Sequence, residues 1–257
     1  MLVKNVVAKY IRGRRCILCD ITQLYKLPNR YIKCKICKRK YSLKKLSKDL
    51  SILYHFYLEI SARKTSIALE IPYKSVSSRF MQYRYKIADY LREQFKKLGG
   101  EVEIDESYFG GKRKGKRGRG AYNKAIVFGI LERNGKVYTA VVPNVKAETL
   151  LEHIKEKTKK GSVYYTDTFR SYNSLIIYGK HERIDHSKTL VEYNKHINGI
   201  EGFWSFAKER FMKYHGINRD NYYWYLKEME FRFNYRNEDV FKLMVDIILG
   251  GFGSKTT

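Results

Sequence analysis

The chain of 257 residues carries 52 Lys and Arg against 26 Asp and Glu, a formal charge of +26, with 44% hydrophobic residues. That apolar share can build a real core, which excludes a disordered basic tail. The charge points to a polyanionic partner, nucleic acid first, although a generally Lys- and Tyr-rich composition would produce the same excess. No apolar run approaches the roughly 20 residues of a membrane span. The N-terminus, MLVKNVVAKYIRGRR, has neither an apolar h-region nor a small-residue cleavage site. The expectation is a cytoplasmic protein, nucleoid-associated if prokaryotic, with no membrane partner.

All four cysteines fall in the first 37 residues: Cys16, Cys19, Cys34 and Cys37. Two C-x2-C knuckles separated by 14 residues suit a tetrahedral four-thiolate Zn²⁺ site, since each short spacer lets both sulfurs reach one ion. Two disulfides are the alternative, and an intracellular setting argues against them. Lys33, Lys35, Lys38, Arg39 and Lys40 crowd the second knuckle. The reading is a zinc ribbon over 1–45.

Helical periodicity follows over 46–98, with Leu46, Leu50, Leu53, Tyr54 and Tyr57 at three- and four-residue steps. A break at 61–64, a short helix at 65–71, a turn at Pro72 and a longer helix at 75–98 suggest a helix-turn-helix-like DNA-binding segment over 46–99. A plain helical linker is the alternative. In the first reading Arg79, Arg84 and Lys86 lie on exposed faces.

Gly99-Gly100 suggests a boundary, and strand patterns begin beyond it. Glu101–Phe109 alternates, and 125–131 pairs with 136–143 through an Arg133-Asn-Gly turn, a strong hairpin signal. An amphipathic helix at 148–160, a strand at 162–166 closing on Asp167, and a helix at 169–177 come next. The order is β-β-β-α-β-α, then helices to the end.

Asp105 and Asp167 stand at strand ends, where carboxylates project toward a common crevice. Glu201 opens a long helix whose apolar stripe is Ile200, Phe203, Trp204, Ala207 and Phe211. Asn198, Glu201, Ser205 and Lys208 share another face of that helix, with Glu201 and Lys208 about 10 Å apart along the axis. Taken singly, each acid reads as an ordinary surface residue. Together, three carboxylates from separate elements are what a two-ion phosphoryl-transfer site needs, and Mg²⁺ or Mn²⁺ would be the natural occupant.

The stretches Ile104-Asp-Glu-Ser-Tyr-Phe-Gly-Gly, Tyr165-Thr-Asp-Thr-Phe, His196-Ile-Asn-Gly-Ile-Glu-Gly-Phe-Trp-Ser-Phe-Ala-Lys and Phe231-Arg-Phe-Asn-Tyr-Arg-Asn resemble DDE-type insertion-sequence transposases. The resemblance implies an α/β fold: an RNase H-like mixed sheet flanked by helices over 100–257, behind the ribbon and the helical segment. It implies a catalytic triad of Asp105, Asp167 and Glu201 on Mg²⁺, with Lys208 seven residues after the Glu. His186 and Asn198 also match recurrent family positions and are expected to line the site. The partners implied are double-stranded DNA, as transposon terminal inverted repeats and target, and further copies of the chain assembled on DNA. An RNase H-fold nuclease without strand transfer and an inactive DNA-binding regulator are the rival readings.

The run GGKRKGKRGRG places Lys112, Arg113, Lys114, Lys116, Arg117 and Arg119 among five glycines. It meets G-x-x-x-x-G-K, but Arg117 stands where a phosphate loop needs Ser or Thr. A basic loop gripping DNA backbone fits better; a merely solvated loop is the alternative. The aromatic cluster Tyr222, Tyr223, Trp224 and Tyr225 is expected in the core rather than stacked on bases.

Overall fold

The structure, a computed structural model, describes residues 15–19, 21–110, 124–184, 196–214 and 216–250. The chain forms two compact units, one of residues 1–93 with 235–257 and one of residues 94–234.

In the first unit, strands β1 (Leu24–Leu27), β2 (Tyr31–Cys34) and β3 (Lys40–Ser42) make an antiparallel sheet in that order. Ser42 then caps helix α1 (Leu43–Tyr57), its hydroxyl accepting the Lys45 N–H, one of the donors a helix start leaves unsatisfied. The three- and four-residue spacing buries Leu46, Leu50, Leu53 and Phe56. Ser61 caps α2 (Ala62–Leu69) in the same way, Glu70 closes that helix in the left-handed region at φ 52°, and α3 (Tyr73–Glu93) follows.

The faces of α3 differ from the sequence expectation at two of the three basic residues expected on exposed faces, Arg79 and Arg84. Arg84 is buried, 2% exposed, with its guanidinium over the Phe56 ring at 5.3 Å. Arg79 is paired with Asp49. Lys86 is exposed as expected, although its ammonium donates to the carbonyl of Ile248 at 2.7 Å. The long aliphatic stems of these side chains let them cover apolar surface, so a basic residue off the Val76, Phe80, Tyr83 stripe need not face water.

The second unit is built on a five-stranded mixed sheet: β4 (Glu101–Phe109), β5 (Ala125–Glu132), β6 (Val137–Val142), β7 (Val163–Asp167) and β8 (Lys180–Ile184), in spatial order β6-β5-β4-β7-β8. The first three pair antiparallel and the last two run parallel to β4. One face carries Val102, Ile104, Phe128 and Ile130 against α4 (Ala147–Lys157) and a 3-10 helix at Arg170–Ile177. The other carries Phe109, Val127 and Leu131 against α5 (Asn198–Lys213) and α6 (Tyr222–Asn234). Strand order, direction and two-sided helical cover make this an RNase H-like sheet. β8 is an addition to the expected order, and residues 170–177 are 3-10 rather than α-helical.

The outer edge of β6 is closed by side chains of α6 at steps of three and four. Asn234 accepts from the Val137 N–H and donates to its carbonyl, at 2.7 and 2.9 Å. Glu230 accepts from the Thr139 N–H at 2.9 Å and Lys227 donates to the Thr139 carbonyl at 2.8 Å. The helix thus satisfies an edge that would otherwise invite another strand. Helix α7 (Val240–Ile248) belongs to the first unit and packs on α1 through Phe241, Tyr54 and Tyr57.

Candidate active site and metal centre

The four thiols are gathered as their spacing predicted: their sulfurs all lie within 4.8 Å of one another. The shortest contacts cross between knuckles, Cys16 to Cys37 at 3.7 Å and Cys19 to Cys34 at 3.6 Å. A tetrahedron with Zn–S bonds near 2.3 Å has S···S edges of about 3.8 Å, so this cluster has the dimensions of a four-thiolate zinc site. None is disulfide-bonded. Burial pushes the Cys16 thiol up to about 12. Burial also acts upward on Cys34, but the backbone N–H groups of Cys37 and Ile36 bring it down to about 7.

In β4 the alternation that buries Val102 and Ile104 on one face sends Glu103 and Asp105 to the α5 face. The parallel register pairs Glu101 with Val163 and Glu103 with Tyr165. The ladder ends at that pair, and Asp105 and Asp167 lie two residues further along each strand, so Asp105 stands in the middle of β4 rather than at its end, whereas Asp167 is the last residue of β7. Asp105 is directly opposite Gly129 on β5. A Cβ at Gly129 would come within 2.6 Å of the Trp204 indole, so the missing side chain makes room for that ring. The indole N–H in turn donates to Asp105 at 3.0 Å.

Asp105, Glu201, Trp204, Ser205, Lys208 and Lys124 line one open cleft of about 690 Å³. Burial, then the charge of Glu106, raise the Asp105 carboxyl to about 7; the Trp204 hydrogen bond opposes the rise and the Asp167 charge adds to it. Lys208 is exposed as a residue, but its ammonium lies 5.9 Å from the Phe109 ring. Burial lowers its pKa against the pull of Asp105. Asp167 does not line this cleft, and one of its oxygens accepts the Phe169 N–H at 2.9 Å. Among the described residues, the three carboxylates are not drawn into a cluster as tight as the thiolates. Asn198 is the exposed first residue of α5. His186 and the basic-loop residues Lys112, Arg113, Lys114, Lys116, Arg117 and Arg119 lie outside the described residues.

Sequence reasoning missed the device that holds α5 over β4. Helix α5 has no side-chain cap of its own. Glu103, 1% exposed, instead accepts the Ile200 N–H at 2.9 Å and the Arg133 Nε at 3.0 Å. Arg133 also donates to the His196 carbonyl at 2.6 Å and stacks 3.7 Å from the Tyr165 ring. Gly199 permits the approach, because a Cβ there would lie 2.8 Å from Glu103 Oε2. The available signal was Glu103 itself, an acid two residues before Asp105 on a face otherwise turned to the core.

Of the aromatic cluster, Tyr222 is core, edge-on to Phe211 at 5.5 Å, whereas Tyr223 is 39% exposed. Among the described residues no helix is long and apolar enough to cross a membrane.

Sheet order, Asp105 in the middle of β4, Asp167 at the end of β7 and a facing helix that carries Glu201 define an RNase H-like domain, here preceded by a ribbon whose four cysteines lie close enough to bind a metal. Residues 97–234 match the ISXO2-like transposase domain, and the chain belongs to that transposase family. An uncharacterized transposase-like protein of Haemophilus influenzae is 51% identical over 100 residues, 38% of this chain and 81% of that protein.

Proposed function

We propose that the protein is a DNA transposase that binds its element's terminal inverted repeats, cleaves to expose a 3′-hydroxyl, and transfers that hydroxyl to target DNA. Family membership supports action on DNA. The observation that supports the chemistry is Asp105, which feels the charge of Asp167 and shares a cleft with Glu201 and Lys208.

Asp105, Asp167 and Glu201 would hold divalent cations. All three offer oxygen donors, as Mg²⁺ and Mn²⁺ prefer, and Asp105 is a carboxyl raised by burial and by neighbouring negative charge, the condition a cation relieves. Bound there, two such ions supply an activated attacking oxygen and stabilisation of the leaving one.

The chain's own groups do the positioning. Trp204 fixes the Asp105 carboxylate, the Glu103 anchor holds the first turn of α5 so that Glu201 faces the cleft, and Lys208 with Lys124 meets the phosphate. In the first step water oxygen attacks phosphorus and the bond to the 3′-oxygen breaks, which leaves a 3′-hydroxyl. In the second that hydroxyl attacks a target phosphodiester, and one ester bond forms as another breaks, so no nucleotide cofactor is needed. His186 and Asn198 would line the site, the 110–120 loop would grip DNA backbone, the four cysteines would hold Zn²⁺, and the working form would be a multimer on DNA ends.

The test is incubation of purified protein with Mg²⁺ or Mn²⁺ and a labelled duplex carrying the element's own end, with Asp105→Ala alongside. Metal-dependent nicking and joined products that vanish in the variant are expected. Cutting without joining would favour a nuclease. Binding without metal-dependent cleavage would favour a regulator.

A further inference from the structure

With Arg84 buried, Arg79 paired and Lys86 tied to a carbonyl, the first unit's free positive charge lies elsewhere. Among the described residues, two open cavities of about 490 and 460 Å³ lie against α1 and share Lys48. One lies between α1 and α3, walled by Lys45 and Lys48 on one side and Ser75, Ser78 and Gln82 on the other. The second continues along α1 past Lys44 to Arg30 at the tip of the β1–β2 hairpin.

Five cations and one carboxylate line the two cavities, and the carboxylate, Asp49, is already taken by Arg79. Arg30, Lys44, Lys45 and Lys48 are exposed, and no ion pair neutralises them among the described residues. Lys44 and Lys48 are one turn apart, so α1 repeats a cation about every 6 Å along its axis. Like charges packed into one groove repel one another and are stabilised only by an anion laid along it. The α3 wall adds neutral hydroxyl and amide groups at i, i+3 and i+7, which can donate to phosphate oxygens without crowding them.

We infer that this groove holds the sugar-phosphate backbone of duplex DNA, with α1 rather than α3 as the main phosphate-binding helix. The inference rests on the reading of the chain as a DNA-acting protein. A free phosphate would occupy only one of two cavities that meet at Lys48, whereas a polymer with repeating charge can span both. A lipid surface fits less well, because the lining offers no exposed large apolar side chain to insert: Leu43 is half-buried and Ile71 is buried. Contacts of this kind position the protein without reading sequence. Binding through the groove is therefore expected to depend steeply on salt and weakly on the duplex used.

The experiment uses the full chain and a labelled duplex, titrated across a salt series. Wild type is compared with the triple variant Lys44→Gln, Lys45→Gln, Lys48→Gln, and with a control carrying the same charge change on the second unit, Lys146→Gln, Lys159→Gln, Lys160→Gln. Zinc content and far-UV circular dichroism establish that each is folded. With each phosphate contact worth about 0.9 in the slope of log K against log salt, the groove variant should lose about 2–3 of that slope, while the control retains it. Equal losses in both variants, or none in the groove variant, would overturn the groove assignment and leave the DNA-acting reading standing. A wild-type protein that binds no duplex at low salt would overturn both. Tighter groove-dependent binding to single-stranded RNA or to anionic vesicles than to duplex would overturn the choice of DNA.

Discussion

Glu103 accepts the backbone N–H of Ile200 at 2.9 Å, and so joins the strand that carries Asp105, two residues from Glu103, to the helix that carries Glu201, one residue from Ile200. The same carboxylate holds Arg133. Breaking a buried pair costs about 3–5 kcal/mol when the remaining charge is stranded; Arg133 keeps Glu101 and the His196 carbonyl, so the lower end of that range applies. Glu103→Ala should therefore lower unfolding stability by that order in urea titration, and Glu103→Gln by less, since its amide oxygen still caps Ile200. A Glu103→Ala protein with wild-type stability would show that α5 is held by its apolar stripe alone.

Asp105 gives a prediction of opposite sign. Its carboxyl is raised to about 7 from an ordinary 3.8, so the folded state favours the protonated form. This contribution is fully present below the unfolded pKa and is lost as pH rises through 7. In magnesium-free buffer, Asp105→Asn should be more stable than wild type at pH 8, by at most about 4 kcal/mol, and the difference should close toward pH 4. Added Mg²⁺ should stabilise wild type and leave the variant unmoved. Equal stability at both pH values would mean that the cleft stays well solvated around Asp105.

The thiolate cluster predicts one zinc per chain, lost on Cys34→Ser, with the β1–β3 sheet losing its crosslink. Structural zinc supplies folding free energy directly. Removing it should add an early, low-temperature phase to thermal unfolding that returns to normal when zinc is restored. Elemental analysis of purified protein checks the stoichiometry. Iron, or no metal, at these four sulfurs would overturn the assignment.

Patterns that depend on period and spacing were readable in the chain. The strands Glu101–Phe109 and Val163–Asp167, the Asn134 turn (φ 58°) and the four-cysteine cluster all follow from local chemistry. β8 was not legible, because Lys180-His-Glu-Arg-Ile is a half-exposed edge strand without apolar alternation. Arg84 was misplaced because helical periodicity marks an apolar stripe but does not show what packs beside it. Glu103 was missed for a related reason: its partners, Ile200 and Arg133, are 97 and 30 residues away, and only the sheet brings them together.

Helix α6 buries Lys227, Glu230 and Arg232, charges that a core would ordinarily exclude. Two of them are explained by the edge of β6. Glu230 accepts from the Thr139 N–H and hydroxyl and from Lys227, at 2.9, 2.7 and 2.7 Å, so one carboxylate satisfies three donors. Glu230→Ala should cost about 3–5 kcal/mol through the stranded Lys227 and should also uncover a strand edge. Lys227→Met with Glu230→Leu separates these effects, since an apolar pair of similar volume can restore stability but cannot bond Thr139. If α6 covers the edge, the double variant should recover much of its resistance to urea while self-associating more than wild type in sedimentation velocity, because an unpaired edge recruits another chain. Recovered stability without added association would mean that packing alone protects β6, and that the buried charges serve the helix rather than the strand.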